Sequence, residues 1–205
     1  NLMSHNTWLH KAAGVIAKPL VNTPVTPNQV TTVRLAAGIG AAVLMAMGTQ
    51  YWMNIAGGLF IASMILDRAD GVLARLSGKT SPGGHLYDLW ADAISNGLIF
   101  IGLGIGLRTG TYGSDALIYG VIAGGSVASV LFLVLKLEDL DGERAGEIGA
   151  FFGFDPDDAM LLVPVAIWVG WSEQVLVAAS IGAPFFVVLF VGIFLYRRKN
   201  PKNGR

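Results

Sequence analysis

The sequence predicts an all-α integral membrane protein. Six transmembrane helices are preceded by an N-terminal amphipathic helix lying at the membrane interface, in a single membrane domain over residues 1–205. Three observations predict this. Only 14% of the residues are charged and 53% are hydrophobic, where soluble chains carry roughly 25% charged residues; mean hydropathy is +0.58. The apolar residues fall into blocks at about 33–49, 52–66, 93–107, 116–137, 159–171 and 174–196. A bilayer core of ~30 Å takes a helix of ~20 residues, and the second and third blocks gain length from the polar stretches joined to them, DRADGVLARL and GHLYDLWAD. Finally, the basic residues are sorted. Six spans put both termini on one side, which collects Lys11, Lys18, Arg75, Lys79, Lys136, Arg144, Arg197, Arg198, Lys199, Lys202 and Arg205; the other side holds only Arg108, while Arg34 and Arg68 lie within spans. Positive charge marks the cytoplasmic face, so both termini and the loops near 76–83 and 138–156 are expected there. The net charge of zero is uninformative beside this sorting.

Taken in order, residues 5–19 place Trp8, Leu9, Ala12, Val15 and Ile16 at helical spacing, with Lys11 and Lys18 off that face. Such a helix suits the membrane surface. Pro24 and Pro27 then punctuate a turn, and Thr26 or Asn28 can cap the next helix. The spans are expected over about 28–48, 52–76, 83–107, 116–136, 159–171 and 174–196, with SGKTSPGG breaking the second from the third and Pro164 a kink in the fifth. A basic cytoplasmic tail occupies 197–205, where it suits anionic lipid. No signal peptide is expected, because Lys11, Lys18 and three prolines interrupt the first 30 residues. With no cysteine, disulfide frameworks and thiol chemistry are excluded.

The chemistry concentrates between Asp67 and Asp92. Residues 1–66 contain no acidic residue, yet Asp67, Asp70, Asp88 and Asp92 fall within 26 positions. A charge inside a span costs ~2.5–3.5 kcal/mol on insertion scales, so something must neutralise these four. Asp67 and Asp70 are three apart and Asp88 and Asp92 four apart, so each helix turns a pair of carboxylates to one face. The break at 77–83 folds the two helices antiparallel. Four carboxylates at the cytoplasmic border make an all-oxygen set suited to Mg²⁺ or Mn²⁺, and two such ions about 4 Å apart clamp a phosphate during in-line displacement. Gly71 and Ala74 let a ligand approach the backbone, and Arg75 offers a guanidinium to phosphate oxygens. Alternatively, Arg68, Arg75 and Lys79 pair with the aspartates as packing salt bridges, or the acids serve an ion or proton path. An EF-hand is excluded, because DRADGVLARLSG lacks acids at alternate positions.

Asp67-x₂-Asp70-Gly71-x₂-Ala74-Arg75-x₈-Gly84-x₃-Asp88-x₃-Asp92 resembles, position for position, the signature of the CDP-alcohol phosphotransferases, eight residues at fixed spacing. TPNQVTT ahead of the first span resembles the family's lead-in segment, and an interfacial helix plus six spans is the family's architecture. The resemblance implies transfer from a CDP-linked donor to an alcohol with release of CMP. It implies that Asp67, Asp70 and Asp88 hold two divalent ions, Mg²⁺ or Mn²⁺, and that Asp92 is the base on the acceptor hydroxyl and touches metal as well. Gly71, Ala74, Arg75 and Gly84 match positions lining the CDP pocket, and Asn28 and Thr31 match positions reaching the nucleotide.

The family's architecture further implies a homodimer among membrane lipids, with no nucleic-acid partner. The expected location is a prokaryotic inner or cell membrane, with the active site cytoplasmic. Chain length favours CDP-diacylglycerol as donor over a soluble CDP-alcohol. For the acceptor, relatives using phosphorylated polyols carry basic residues near spans four and five, here Lys136 and Arg144. Against this, Asp155, Asp157 and Asp158, with the acids from Glu138 to Glu147, suit an uncharged or cationic acceptor or a lipid hydroxyl. An intramembrane prenyltransferase and a metal or proton transporter are the competing classes.

Overall fold

Thr26 starts the first long helix by a reciprocal arrangement: its hydroxyl accepts from the Gln29 backbone N–H, and the Gln29 side chain accepts from the Thr26 N–H. Pro27, whose missing N–H costs nothing in a first turn, follows directly. The computed structural model describes residues 8–141 and 160–199, in which seven helices and no strand occur. They are α1 (Trp8–Leu20), α2 (Pro27–Ala46), α3 (Gln50–Ser77), α4 (Pro82–Gly106), α5 (Asp115–Asp141), α6 (Leu162–Trp168) and α7 (Ser172–Lys199). The α3–α4 break is built from Gly78, at φ 66° in the left-handed region, and from Ser81, whose hydroxyl caps Gly84 N–H ahead of Pro82.

Helix α2 packs between α3 and α4, α5 joins α4 to α7, and α6 lies against α3. Met45, Met53, Phe60, Ile99, Phe100, Leu103 and Leu176 fill the core between them. Small residues set the spacing of these helices. A Cβ on Gly102 would strike the Ala42 carbonyl, and Gly104 faces Gly120 across α4 and α5. Backbones thus approach at distances only glycine permits, as is common between helices in membranes.

The outer surface is apolar. Val43, Ile118, Val121, Ile181, Phe185 and Val188 stand exposed on α2, α5 and α7, an outward-facing greasy band that suits lipid rather than water. Four helical stretches are long and apolar enough to cross a membrane: α2, α4, residues 115–134 of α5, and α7. The chain is an integral membrane protein. The other two expected spans differ for physical reasons. Helix α3 has 28 residues, but its C-terminal part carries Asp67, Arg68, Asp70 and Arg75, and α6 is only 7 residues long, with 142–159 outside the described residues. Pro164, the expected kink, falls in the first turn of α6, just after the helical path is interrupted at Leu161.

Helix α1 forms as the periodicity predicts, and it meets the protein through its small residues rather than through the Val15 and Ile16 face. Ala13 and Ala17 are buried, Ala17 against Val30 and Leu73. Val15 and Ile16 point away, Val15 with 73% of its surface exposed.

Candidate active site

Three helices build the site. The first two turns of α2 present Asn28, Thr31 and Arg34 at intervals of three, a single face. The last turns of α3 present Asp67, Asp70, Gly71, Ala74 and Arg75, and the first turns of α4 present Gly84, His85, Asp88 and Asp92. A cleft opens among them, lined by Asn28, Thr31, Asp70, Gly71, Ala74, Arg75, Lys79, Ser81, Gly84, His85 and Asp88, among others. Its cavity volume is about 220 Å³ and its mouth is open. All six residues expected at a nucleotide — Asn28, Thr31, Gly71, Ala74, Arg75 and Gly84 — line it. Gly84 is small for a reason: a Cβ there would sit 3.0 Å from both Asn28 Oδ1 and Ser81 Oγ.

The carboxylates converge. Asp67, Asp70 and Asp88 each bring one oxygen to within 4.8 Å of the others, so the donor set fits a hard divalent ion. Asp70 is the most deeply placed, its side chain 3% exposed, and its Oδ2 accepts a 2.6 Å hydrogen bond from the Thr31 hydroxyl. Thr31 therefore also orients a carboxylate besides facing the cleft, a role its spacing did not reveal.

The cation among these acids is Arg34. Its residue is 1% exposed and its guanidinium reaches all four aspartates. Nη1 lies 2.9 Å from Asp67 Oδ1 and 2.7 Å from Asp92 Oδ1, Nη2 lies 2.7 Å from Asp88 Oδ1, and Nε is 3.6 Å from Asp70 Oδ2. Nη2 also donates to the Asp88 backbone carbonyl at 2.6 Å. One residue of α2 thus ties α3 to α4. A single arginine inside an apolar helix is itself a signal of function; what the sequence withheld was its partners, 33 to 58 residues away.

Beneath the carboxylates a small cavity is lined by Arg34, Ser63, Asp67, Arg68, Asp92, Ser95 and Asn96, among others. Around the rim, the Tyr87 hydroxyl meets Thr32 Oγ1 at 3.0 Å, pinning α4 to α2, and Trp90 is half exposed. Lys136 is exposed on α5, its ammonium 5.7 Å from the Phe132 ring centroid, and is not among the residues lining the cleft. Arg144 and the acidic run from 142 to 158 lie outside the described residues.

The sequence matches the CDP-alcohol phosphatidyltransferase family over residues 24–188. Among curated proteins it is 34% identical over 54% of its length to a bifunctional IPC transferase and DIPP synthase of Rubrobacter xylanophilus, 24% of which is covered. It is 35% identical over 42% of its length to the phosphatidylinositol phosphate synthase of Corynebacterium glutamicum, 38% of which is covered. To the phosphatidylinositol phosphate synthase of Mycobacteroides abscessus it is 29% identical over 70% of its length, covering 64% of that protein. The matches thus span from about a quarter to under two thirds of these relatives. The fold is similar to that of Mycobacterium tuberculosis phosphatidylinositol phosphate synthase with CDP-DAG bound, with a TM-score of 0.62 at 21% identity, covering 90% of this chain and 94% of that one. The same enzyme in complex with manganese and citrate gives a TM-score of 0.62, also at 21% identity, over 89% and 88% of the two chains. With six of its eight signature residues lining one cleft, Asp67 and Asp92 joined to them through Arg34, and the match running over most of its length, the chain belongs to the CDP-alcohol phosphatidyltransferase family.

Proposed function

We propose that the protein transfers a phosphatidyl group from CDP-diacylglycerol to the hydroxyl of an alcohol, releasing CMP. The observation that carries this is the gathering of four aspartates around Arg34, two of which, Asp70 and Asp88, line a cleft that also offers Arg75 and Lys79 to an anionic ligand. Relatives whose names specify phosphatidylinositol phosphate synthesis, and a similar fold holding CDP-DAG, support the donor.

Asp67, Asp70 and Asp88, with Asp92 beside them, would hold two divalent ions, Mg²⁺ or Mn²⁺, which would neutralise charge on the donor's diphosphate. Arg75 and Lys79 meet the same phosphates from the cleft wall, while Gly71, Ala74 and Gly84 leave room for the nucleotide beside Asn28 and Thr31. Asp92 takes the proton from the acceptor hydroxyl as its oxygen bonds to the phosphatidyl phosphorus. The bond from that phosphorus to the CMP oxygen breaks, and its electron pair leaves with CMP. Arg34, 2.7 Å from Asp92 Oδ1, holds that carboxylate in place.

The acceptor is an alcohol reaching Asp92 from the cytoplasm, and Lys136 and Arg144 are its proposed contacts. Helix α3 and the segment around α6 complete six spans, α1 lies in the cytoplasmic interface, and both termini are cytoplasmic. The setting is a prokaryotic inner or cell membrane, and the assembly a homodimer.

Thermal unfolding in detergent tests the donor site. CDP with Mn²⁺ is expected to raise the midpoint by several degrees, since ligand at 100 times its Kd stabilises by about 2.7 kcal/mol. EDTA should abolish the effect. A shift with a prenyl diphosphate and none with CDP would instead indicate a prenyltransferase, and a shift with the ion alone an ion-binding transporter.

A further inference from the structure

We propose that Arg34 is a resident cation of the aspartate cluster, a positioning residue that stays with the carboxylates when divalent ions bind and lowers the site's affinity for them. The inference rests on the metal-dependent reading above, but not on which donor or acceptor is used.

The first argument is charge. Four carboxylates within reach of one guanidinium leave the cluster at −3 rather than −4. A fixed positive charge a few ångströms from the ion site repels a divalent cation, and the effect is strong where water is excluded.

The second argument is that Arg34 has nowhere to go. Its side chain is 2% exposed. Part of its anchoring is a neutral partner, the Asp88 backbone carbonyl at 2.6 Å, for which an ion bound at the carboxylates does not compete. Its own carbonyl accepts a 2.8 Å hydrogen bond from Ser63 Oγ. One turn further, Gly38 is so tightly held that a Cβ would meet Ser95 Oγ at 2.5 Å and Ser63 Oγ at 3.4 Å. Helix α2 is thus held between Ser63 of α3 and Ser95 of α4 from Arg34 to Gly38.

The third argument is the metal-free state. Asp67 and Asp70 on α3 and Asp88 and Asp92 on α4 repel one another, and Arg34 is what draws the two helices together before any ion arrives. Removing one partner of a buried ion pair leaves uncompensated charge and destabilises strongly.

Mn²⁺ titrations followed by thermal unfolding, with no substrate present, separate these roles. In EDTA, Arg34→Gln should unfold about 10 °C below the unmodified protein. Its half-maximal Mn²⁺ concentration for stabilisation should nonetheless fall about tenfold, because the repelling charge is gone. Arg34→Lys keeps the charge but cannot bridge both helices, so its midpoint temperature should fall while its Mn²⁺ requirement stays within about threefold of the unmodified value. If Arg34→Gln is obtained folded only in Mn²⁺, the ions are replacing the lost charge, as proposed. An unchanged or higher Mn²⁺ requirement in Arg34→Gln would overturn the proposal, as would a variant that fails to fold even with Mn²⁺. A correct Mn²⁺ response without CMP release would sink the transferase reading alone.

Discussion

Asp92→Asn is expected to lower kcat for CMP release by about 10²–10⁴-fold while the protein still gains thermal stability from CDP with Mn²⁺. The substitution keeps the shape and keeps an oxygen able to accept from Arg34 Nη1, now 2.7 Å from Asp92 Oδ1. It removes the basic oxygen that would take the acceptor's proton and leaves Asp67, Asp70 and Asp88, whose oxygens lie within 4.8 Å of one another, to hold the ions. Because the cluster carries net negative charge even with Arg34, deleting one carboxylate should not cost stability in EDTA. Single-turnover CMP release measured beside thermal unfolding separates the two effects. Activity within a few-fold of the unmodified protein would remove Asp92 from the chemistry.

Asp70→Asn should have the opposite profile. Asp70 is the most buried of the four, its side chain 3% exposed, and it is oriented by Thr31 at 2.6 Å. An amide at this position supplies a weaker neutral oxygen and a misplaced N–H₂ group. Loss of a partner that merely orients a ligand typically costs 10–100-fold in metal affinity, so loss of a ligand itself should raise the Mn²⁺ requirement by more than about 10²-fold. CMP release should fall below detection at ordinary Mn²⁺, and CDP should no longer protect. Full protection by CDP with Mn²⁺ in this variant would mean that Asp70 is not an ion ligand.

Much of this site was legible in the sequence because its chemistry is local to two helices. Asp67 and Asp70, like Asp88 and Asp92, share a helical face by spacing alone, and the glycine- and proline-marked break at 77–83 brings the pairs together. Thr26 was legible as a cap of α2, whereas Ser81 and Pro82 were legible only as part of a break and turn out to start α4. Arg34 was visible as an odd charge in an apolar helix, but its four partners lie on other helices and are a tertiary fact. The packing salt bridges considered for Arg68, Arg75 and Lys79 overlooked it for that reason. Helix α1 shows a different limit: periodicity groups Val15 and Ile16 on one face, which the protein leaves uncovered, but does not single out Ala13 and Ala17 as the residues it packs on. The six-span expectation met a limit of composition, since the polar C-terminal part of α3 does double duty as helix and site.

CMP release by the purified protein, given CDP-diacylglycerol, Mn²⁺ and a panel of inositol phosphate, glycerol phosphate, inositol, serine and choline, decides whether this cleft is a phosphatidyltransferase site. Release that requires one of these alcohols, yields its phosphatidyl ester in equal amount and disappears in Asp92→Asn is the expected result. Release of no CMP with any alcohol, together with no stabilisation by CDP and Mn²⁺, would contradict it.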